Sequence, residues 1–362
     1  MKLNRKEILA IVASHQANLD KKAINPIFSS LRFFCDGQNL KISSMDGERF
    51  LTHKFKVDFN PFDIFLPGVN LYDLLRKSKS EFFEVVEEEK EYVFKIDKGE
   101  FKFSKLESNS ASMPEWIGEF SNTIELNSQD LKNGLKLVKN SCSNDDSRPF
   151  LNGVCFDFNN GYFNLCATDT LRLCLYSSKS DCEGKWIFSK KTVNDLIKLL
   201  EDVESPVTLS IGKNAKFEFV SNDKNVELNT LLIPGQFPNY NRLIRDESEY
   251  SSIIKTNVEY LSSSLDRILT MANLHQPVVK FNFANESMIA AENAISRGEE
   301  VLDVDYSGSE LSIAFNGRLL SEMLSNFSGD IQIYALGPQS PILIKGKDQD
   351  NLTGVVAPVK RS

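Results

Sequence analysis

Val193-Asn194-Asp195-Leu196-Ile197 is apolar at its first, fourth and fifth positions around a central acid, the i, i+3, i+4 spacing of an amphipathic helix. The same pattern stands at Leu71-Tyr72-Asp73-Leu74-Leu75 and at Leu320-Ser321-Glu322-Met323-Leu324, 122 residues before and 127 after. Working outward, an Asn precedes an apolar residue by four positions at Asn4 to Ile8, Asn127 to Leu131 and Asn257 to Leu261. Each reads as a helix start, because an Asn side chain accepts the orphan amide hydrogens of a first turn. Glu7 and Asp130 add a capping-box or helix-dipole contribution to the first two. Asp46-Gly47-Glu48-Arg49-Phe50 returns as Asp169-Thr170-Leu171-Arg172-Leu173, and in the third copy the acidic stretch around Glu299-Glu300 is expected in its place. An apolar residue followed by proline ends each copy, at Met113-Pro114, Phe237-Pro238 and Ala357-Pro358.

The four patterns share offsets of 122 to 124 residues between the first two copies and, where a third exists, 120 to 130 between the second and third. Periods of about 20–50 residues mean solenoids, whereas one near 120 gives each copy enough chain to bury its own core. Three tandem domains are therefore expected, at residues 1–122, 123–249 and 250–362. Between the two helices of a copy lie strand-like runs such as Leu31-Arg32-Phe33-Phe34 and Leu40-Lys41-Ile42-Ser43, with more after the second helix, such as Tyr92-Val93-Phe94-Lys95-Ile96. Two helices and about eight strands per domain give an α+β class, helices covering one face of antiparallel sheets.

Composition narrows the function classes. At 362 residues, 41% hydrophobic and 25% charged, the chain can build real cores and is not disordered or collagen-like. Ile8 to Ala13, the longest apolar run near the N-terminus, falls far short of a membrane span, and neither a span nor a signal peptide is read. Six cysteines without a CxxC pair predict reduced thiols in a cytoplasmic protein. His15, His53 and His275 show no ligand spacing, so no metal and no cofactor is expected. GxSxG, GxxxxGK[ST] and GxGxxG are all missing, which leaves acyl transfer and phosphate-loop chemistry without their usual residues. No catalytic residue is nominated.

A net charge of −8 does not advertise a nucleic-acid partner, but the cations are arranged. Lys132, Lys136 and Lys139 fall at i, i+4, i+7 beside the apolar stripe of Leu131, Leu135 and Val138. The equivalent helix of the first copy ends at Lys21-Lys22; second helices carry Arg76 and Lys77 in one copy and Lys198 in the next. One such face is an ordinary solvated surface. Recurrence in equivalent helices of an acidic protein suits contact with a phosphate backbone.

Several stretches resemble the bacterial sliding clamp, the beta subunit of the replicative DNA polymerase: Arg148-Pro149-Phe150-Leu151-Asn152-Gly153-Val154, Ala167-Thr168-Asp169-Thr170-Leu171-Arg172-Leu173, Pro234-Gly235-Gln236-Phe237-Pro238-Asn239-Tyr240, Tyr306-Ser307-Gly308 and Val355-Val356-Ala357-Pro358-Val359-Lys360. The resemblance runs the length of the chain. It implies a non-enzymatic processivity factor: a head-to-tail homodimer closing a ring around double-stranded DNA, read without sequence specificity and threaded by a clamp-loader complex. It implies DNA-facing positions at Lys22, Arg76, Lys77, Lys132, Lys136, Lys139, Arg148, Phe150 and Lys198. It implies a groove for QLxLF-like peptides of the polymerase alpha subunit and other partners, formed by Thr168, Leu171, Arg172, Leu173, Pro238, Arg242, Leu243, Val355, Val356, Ala357, Pro358 and Val359, with the two arginines as its rim. Thr170-Leu171 stand where the family commonly has Gly-His, and Ala357 where it has Met. The dimer joint is implied at Phe101 and Phe103 against Thr270 and Met271, with Lys95 or Lys98 facing Glu299 and Glu300. Two other classes compete: a hydrolase at a domain junction, for which only generic carboxylates such as Asp169 could serve, and a triplicated scaffold without DNA contact.

Overall fold

Each repeat begins with a short strand and a helix whose start is set by a side chain. In the computed structural model, which describes residues 1–106, 113 and 118–359, Asn4 Oδ1 accepts from Glu7 N at 3.1 Å, Asn127 Oδ1 from Asp130 N at 2.9 Å, and Asn257 Oδ1 from Glu259 N at 3.1 Å. All three expected starts are therefore real. Pro114 and Lys360, part of the sequence patterns, lie outside the described residues.

The first repeat runs β1 (Lys2–Asn4), α1 (Arg5–His15), β2 (Ser30–Cys35), β3 (Asn39–Met45), β4 (Arg49–Lys56), β5 (Phe62–Pro67), α2 (Gly68–Lys77), β6 (Phe82–Glu87), β7 (Glu91–Ile96) and β8 (Gly99–Ser104). The second runs β9 (Phe120–Leu126), α3 (Ser128–Val138), β10 (Gly153–Asn159), β11 (Tyr162–Thr168), β12 (Arg172–Lys179), β13 (Gly184–Ser189), α4 (Lys190–Leu199), β14 (Val207–Gly212), β15 (Ala215–Ser221) and β16 (Lys224–Thr230). The third runs β17 (Ser252–Asn257), α5 (Val258–Leu269), β18 (Val278–Phe283), β19 (Ser287–Glu292), β20 (Arg297–Leu302), β21 (Asp305–Ser307), β22 (Leu311–Asn316), α6 (Gly317–Leu324), β23 (Asp330–Ala335), β24 (Ile342–Gly346) and β25 (Gln349–Val356). This is the expected α+β design three times over, and among the described residues every strand pairing is antiparallel.

Compactness cuts across the repeats. One unit holds Met1–Lys132 with Asn194–Leu232, the other Asn133–Val193 with Ile233–Ser362. The cause is in the sheets. In the first unit an eight-stranded sheet is ordered β5-β2-β3-β4-β16-β15-β14-β9, so β4 of the first repeat pairs with β16 of the second. In the second unit a nine-stranded sheet is ordered β13-β10-β11-β12-β25-β24-β23-β17-β21, and β12 of the second repeat pairs with β25 of the third. Each unit also has a four-stranded sheet, β1-β6-β7-β8 in the first and β20-β19-β18-β22 in the second.

In the first unit, α1 and α2 bury Ile8, Ile11, Val12, Leu71 and Leu75 against Leu31, Phe33, Leu40, Ile42 and Phe94. Each fully buried Leu or Phe contributes roughly 1.5–3 kcal/mol relative to exposure. The second unit buries Leu173, Leu175, Phe237, Tyr240, Leu343 and Val355 together. Cys155, Cys166 and Cys174 lie buried in β10, β11 and β12, and burial pushes the Cys155 and Cys174 thiols up to about 12, as expected of thiols acting as small hydrophobes.

The histidines are a correction: two of the three are neighbours. His15 at the end of α1 places Nδ1 2.7 Å from Ser44 Oγ on β3 and Nε2 3.1 Å from His53 Nδ1 on β4. Both rings are buried, His15 completely. These contacts make a polar rivet between helix and sheet. Burial holds His15 well below its ordinary range, with His53 adding to the effect, and lowers His53 to about 4, with Lys224 adding to it. A group lowered on folding stabilises above its unfolded value and loses that contribution as pH falls. Each tenfold loss of proton affinity on folding is worth about 1.4 kcal/mol once the unfolded chain is protonated. Stability is therefore expected to drop by about 1–3 kcal/mol on acidification from about pH 6.5 to 4 through this pair. Urea midpoints across that window test this, and His53→Gln, which cannot take up the proton, should remove the His53 share of the drop and leave that of His15.

Candidate partner groove and basic surfaces

The Asp-x-x-Arg pattern folds as a hairpin turn. Asp46 Oδ1 accepts from Glu48 N and Arg49 N between β3 and β4, and Asp169 Oδ1 accepts from Leu171 N and Arg172 N between β11 and β12. The arginine then reaches back. Arg49 Nε donates to Asp46 Oδ2 at 3.1 Å, Nη2 to the Ala17 carbonyl at 3.0 Å, and Nη1 to Asp195 on α4. Arg172 repeats the arrangement, Nε to Asp169 Oδ2 at 3.1 Å, Nη2 to the Asn140 carbonyl at 2.6 Å and Nη1 to Glu322 Oε2 on α6 at 2.6 Å. Asp195 and Glu322 are the central acids of the helix pattern that defined the repeats, so two sequence signatures meet in one contact. Burial outweighs Arg49 at the Asp195 carboxyl and raises it to about 6.

The third copy of this turn, expected at Glu299-Glu300, lies instead at Asn293–Ser296. Asn293 Oδ1 accepts from Ile295 N and Ser296 N at 2.9 Å each, and Asn293 N donates to the Ser296 carbonyl, closing the turn between β19 and β20. Asn for Asp and Ser for Arg hid it.

All twelve expected groove residues lie in the second unit. The β12–β25 register sets Leu173 opposite Val355 and Arg172 opposite Val356, and the following segment is anchored by Ala357 N on the Leu171 carbonyl and Val359 N on the Ala314 carbonyl, both 2.8 Å. Leu171, Pro238, Arg242 and Leu243 are exposed; Ala357, Pro358 and Val359 are half-buried. Thr168, Leu173, Val355 and Val356 are buried beneath them. Arg172 departs from its expected role as rim, since its guanidinium is buried and engaged by Asp169, Glu322 and the Asn140 carbonyl. Arg242 is the exposed arginine of the set.

The expected basic positions divide between the units. In the first, Lys22, Arg76, Lys77 and Lys198 are exposed, Arg76 lying 3.3 Å from Asp73 on its own helix. Lys132 departs from expectation: it is buried, and its ammonium donates to the Glu201 carbonyl at 3.0 Å just past α4, where the helix dipole favours a cation. In the second, Lys136 is exposed, Lys139 half-buried, and Arg148 exposed beside Asp145 at 3.0 Å, while Phe150 packs against the core.

The threefold repeat has counterparts among known proteins. Family models of the N-terminal, central and C-terminal domains of the DNA polymerase III beta subunit match residues 1–112, 125–239 and 247–360. The chain belongs to the bacterial sliding-clamp family. It is 25% identical over 373 residues to the beta sliding clamp of Vibrio cholerae, covering 99% of each chain. It is 27% identical over 255 residues to that of Haemophilus influenzae, covering 69% of this chain and 68% of the other. The fold matches the sliding clamp of Bartonella birtlesii with a TM-score of 0.93 at 22% identity, over 100% of this chain and 99% of that one. The DNA polymerase III beta subunit of Pseudomonas aeruginosa gives 0.92 at 21% over 100% of both. The clamp is thus a replication processivity factor of DNA polymerase III rather than a catalyst.

Among the strands that end a sheet are β8 and β20. β8 ends the small sheet of the first unit, with Phe101 43% exposed and Phe103 set edge-on to Phe94 at 5.2 Å. β20 ends the small sheet of the second, with Glu299 exposed and Glu300 held by Arg267 and Ser264. Thr270 is exposed and Met271 half-buried near this edge, Met271 lying under Gly298. Lys95 lies 3.6 Å from Glu100, and Lys98 is exposed in the β7–β8 turn.

The turns can be tested by substitution. Gly47 sits at φ +89°, and Thr170, its counterpart, at +77°, where a β-branched side chain is strained. Thr170→Gly should stabilise the protein by about 1 kcal/mol, read as a higher urea midpoint. Arg49→Ala leaves Asp195 buried without its partner and should cost about 3–5 kcal/mol. Arg172→Ala should cost less, about 1–3 kcal/mol, because Glu322 is 54% exposed and can turn to water.

Proposed function

We propose that two copies of this clamp join head to tail, β20 of each against β8 of the other, in a ring around duplex DNA that carries polymerase and other partners on the groove about Leu171 and Leu243. The observation that carries this reading is the pairing rule of the two seams, which leaves β20 and β8, both at sheet edges, as its unmatched ends. Inside the chain the strand after each Asx turn pairs with the last strand of the following repeat, β4 with β16 and β12 with β25. By the same rule β20 seeks β8, and a first repeat is available only on another copy. Carrying over the β4–β16 register, Glu299 falls opposite Lys102, Phe103 opposite Gly298, and Phe101 opposite Glu300. A carboxylate opposite an ammonium favours the cross-strand pair, and Gly298, whose side-chain space Met271 occupies, leaves room for the strand carrying Phe103 to approach. The register selects Lys102 rather than Lys95 or Lys98 as the cation facing Glu299.

A heterologous contact of this type closes only when the rotation suits the number of copies. In the ring, exposed cations such as Lys136, Lys198 and Lys77 hold phosphates without reading bases, so grip comes from closure and the ring slides. The groove offers Leu171 and Leu243, 54% and 45% exposed, as apolar anchors beside Arg242. That suits a short peptide with leucine and aromatic side chains and a polar end, QLxLF in type.

Light scattering should give twice the 40.9 kDa chain mass, and Phe101→Asp should halve it. After loading by a clamp-loader complex, the ring should stay on nicked circular DNA and run off linear DNA; equal loss from both would count against encirclement. Removing residues 358–362 should abolish binding of a QLxLF peptide while leaving the dimer mass unchanged.

A further inference from the structure

Both seams within the chain are pinned by one device in duplicate. Its parts are an acid at the start of the turn, an arginine three residues on, the central acid of the second helix of the next repeat, and a backbone carbonyl thirteen residues past the N-cap Asn. Arg49 joins Asp46, Asp195 and the Ala17 carbonyl; Arg172 joins Asp169, Glu322 and the Asn140 carbonyl. Counting forward places the third set at Asn293, Ser296, the Thr270 carbonyl and, on the helix of a first repeat, Asp73.

The backbone of that third set is ready. Asn293 holds the turn by the two amide contacts that Asp46 and Asp169 make, which sets Ser296 in the turn position of Arg49 and Arg172. No guanidinium stands at position 296, since the next residue, Arg297, lies 3.3 Å from Glu299 on its own strand, and Asp73 is answered by Arg76 on its own helix at 3.3 Å. We infer that the joint between copies is the one kind of joint in the ring built without the guanidinium tie, and that Ser296, standing where the other two turns have arginine, sets how readily two copies part. This rests on the head-to-tail reading above.

The physical argument concerns departure rather than encounter. The Arg49–Asp195 pair is buried on both sides and the Arg172–Glu322 pair on the arginine side, and parting either must break the guanidinium's bonds before water can replace them, so such ties act mainly on dissociation. A forked guanidinium holding a carboxylate, a carbonyl and the turn at once resists any opening of the seam. The intrachain seams have this lock, and the seam between copies relies on strand pairing and aromatic packing. A ring that must be opened and reclosed around DNA is then weakest at its intermolecular joint by chemistry as well as by the break in the chain.

The experiment installs the lock. Chains labelled with donor and acceptor dyes are mixed, and subunit exchange is followed for the parent, Asn293→Asp/Ser296→Arg, and the same pair with Asp73→Asn. Exchange is expected to slow at least tenfold in the double variant and to return to the parental rate with Asp73→Asn, while Asp73→Asn alone leaves the parent unchanged. Asn293→Asp/Ser296→Lys, a point charge without the fork, should slow it less. Parental exchange in a double variant with a parental melting transition would overturn the inference, as would slowing that survives Asp73→Asn. A parent that is monomeric by light scattering at micromolar concentration would instead sink the ring reading itself.

Discussion

Unpaired backbone at a sheet edge is the constraint from which the rest of this architecture follows. A strand with free amides and carbonyls must be paired, covered or made repellent, and none of the three repeats can close its own sheet. β4 is completed by β16 and β12 by β25, each from the following repeat. That is why the compact units divide the second repeat between them although the sequence repeats three times without a break. The helices then serve the seams. α4 and α6 each present one carboxylate to an arginine from the neighbouring repeat, and the apolar residues around that carboxylate anchor the helix in its own core.

What the sequence disclosed was what local chemistry decides. Asn4, Asn127 and Asn257 cap their helices through amides a few residues away, and Leu71, Val193 and Leu320 bury at the spacing their period requires. The hairpin turns at Asp46 and Asp169 were legible for the same reason. The third was not, because an Asx turn tolerates Asn as well as Asp, and Ser296 stands where the first two copies have Arg.

What stayed hidden depended on partners far along the chain. Arg172 read as a rim for a peptide, yet its carboxylate partner Glu322 is 150 positions away. Lys132 sat in a regular basic stripe, yet the carbonyl that captures it belongs to Glu201. His15 and His53 showed no ligand spacing and proved to touch. The edge positions of β8 and β20 could not be read from composition either, since Phe101 and Phe103 alternate as any core strand does.

The thiols carry a practical consequence. Five of the six cysteines are buried, and only Cys182 is half-buried, in the stretch between β12 and β13. A maleimide or other soft electrophile added to the native protein therefore meets one accessible sulfur, and modification stays stoichiometric for as long as the fold holds. Progressive uptake of further label becomes a clock for local opening of the sheets that shelter the rest.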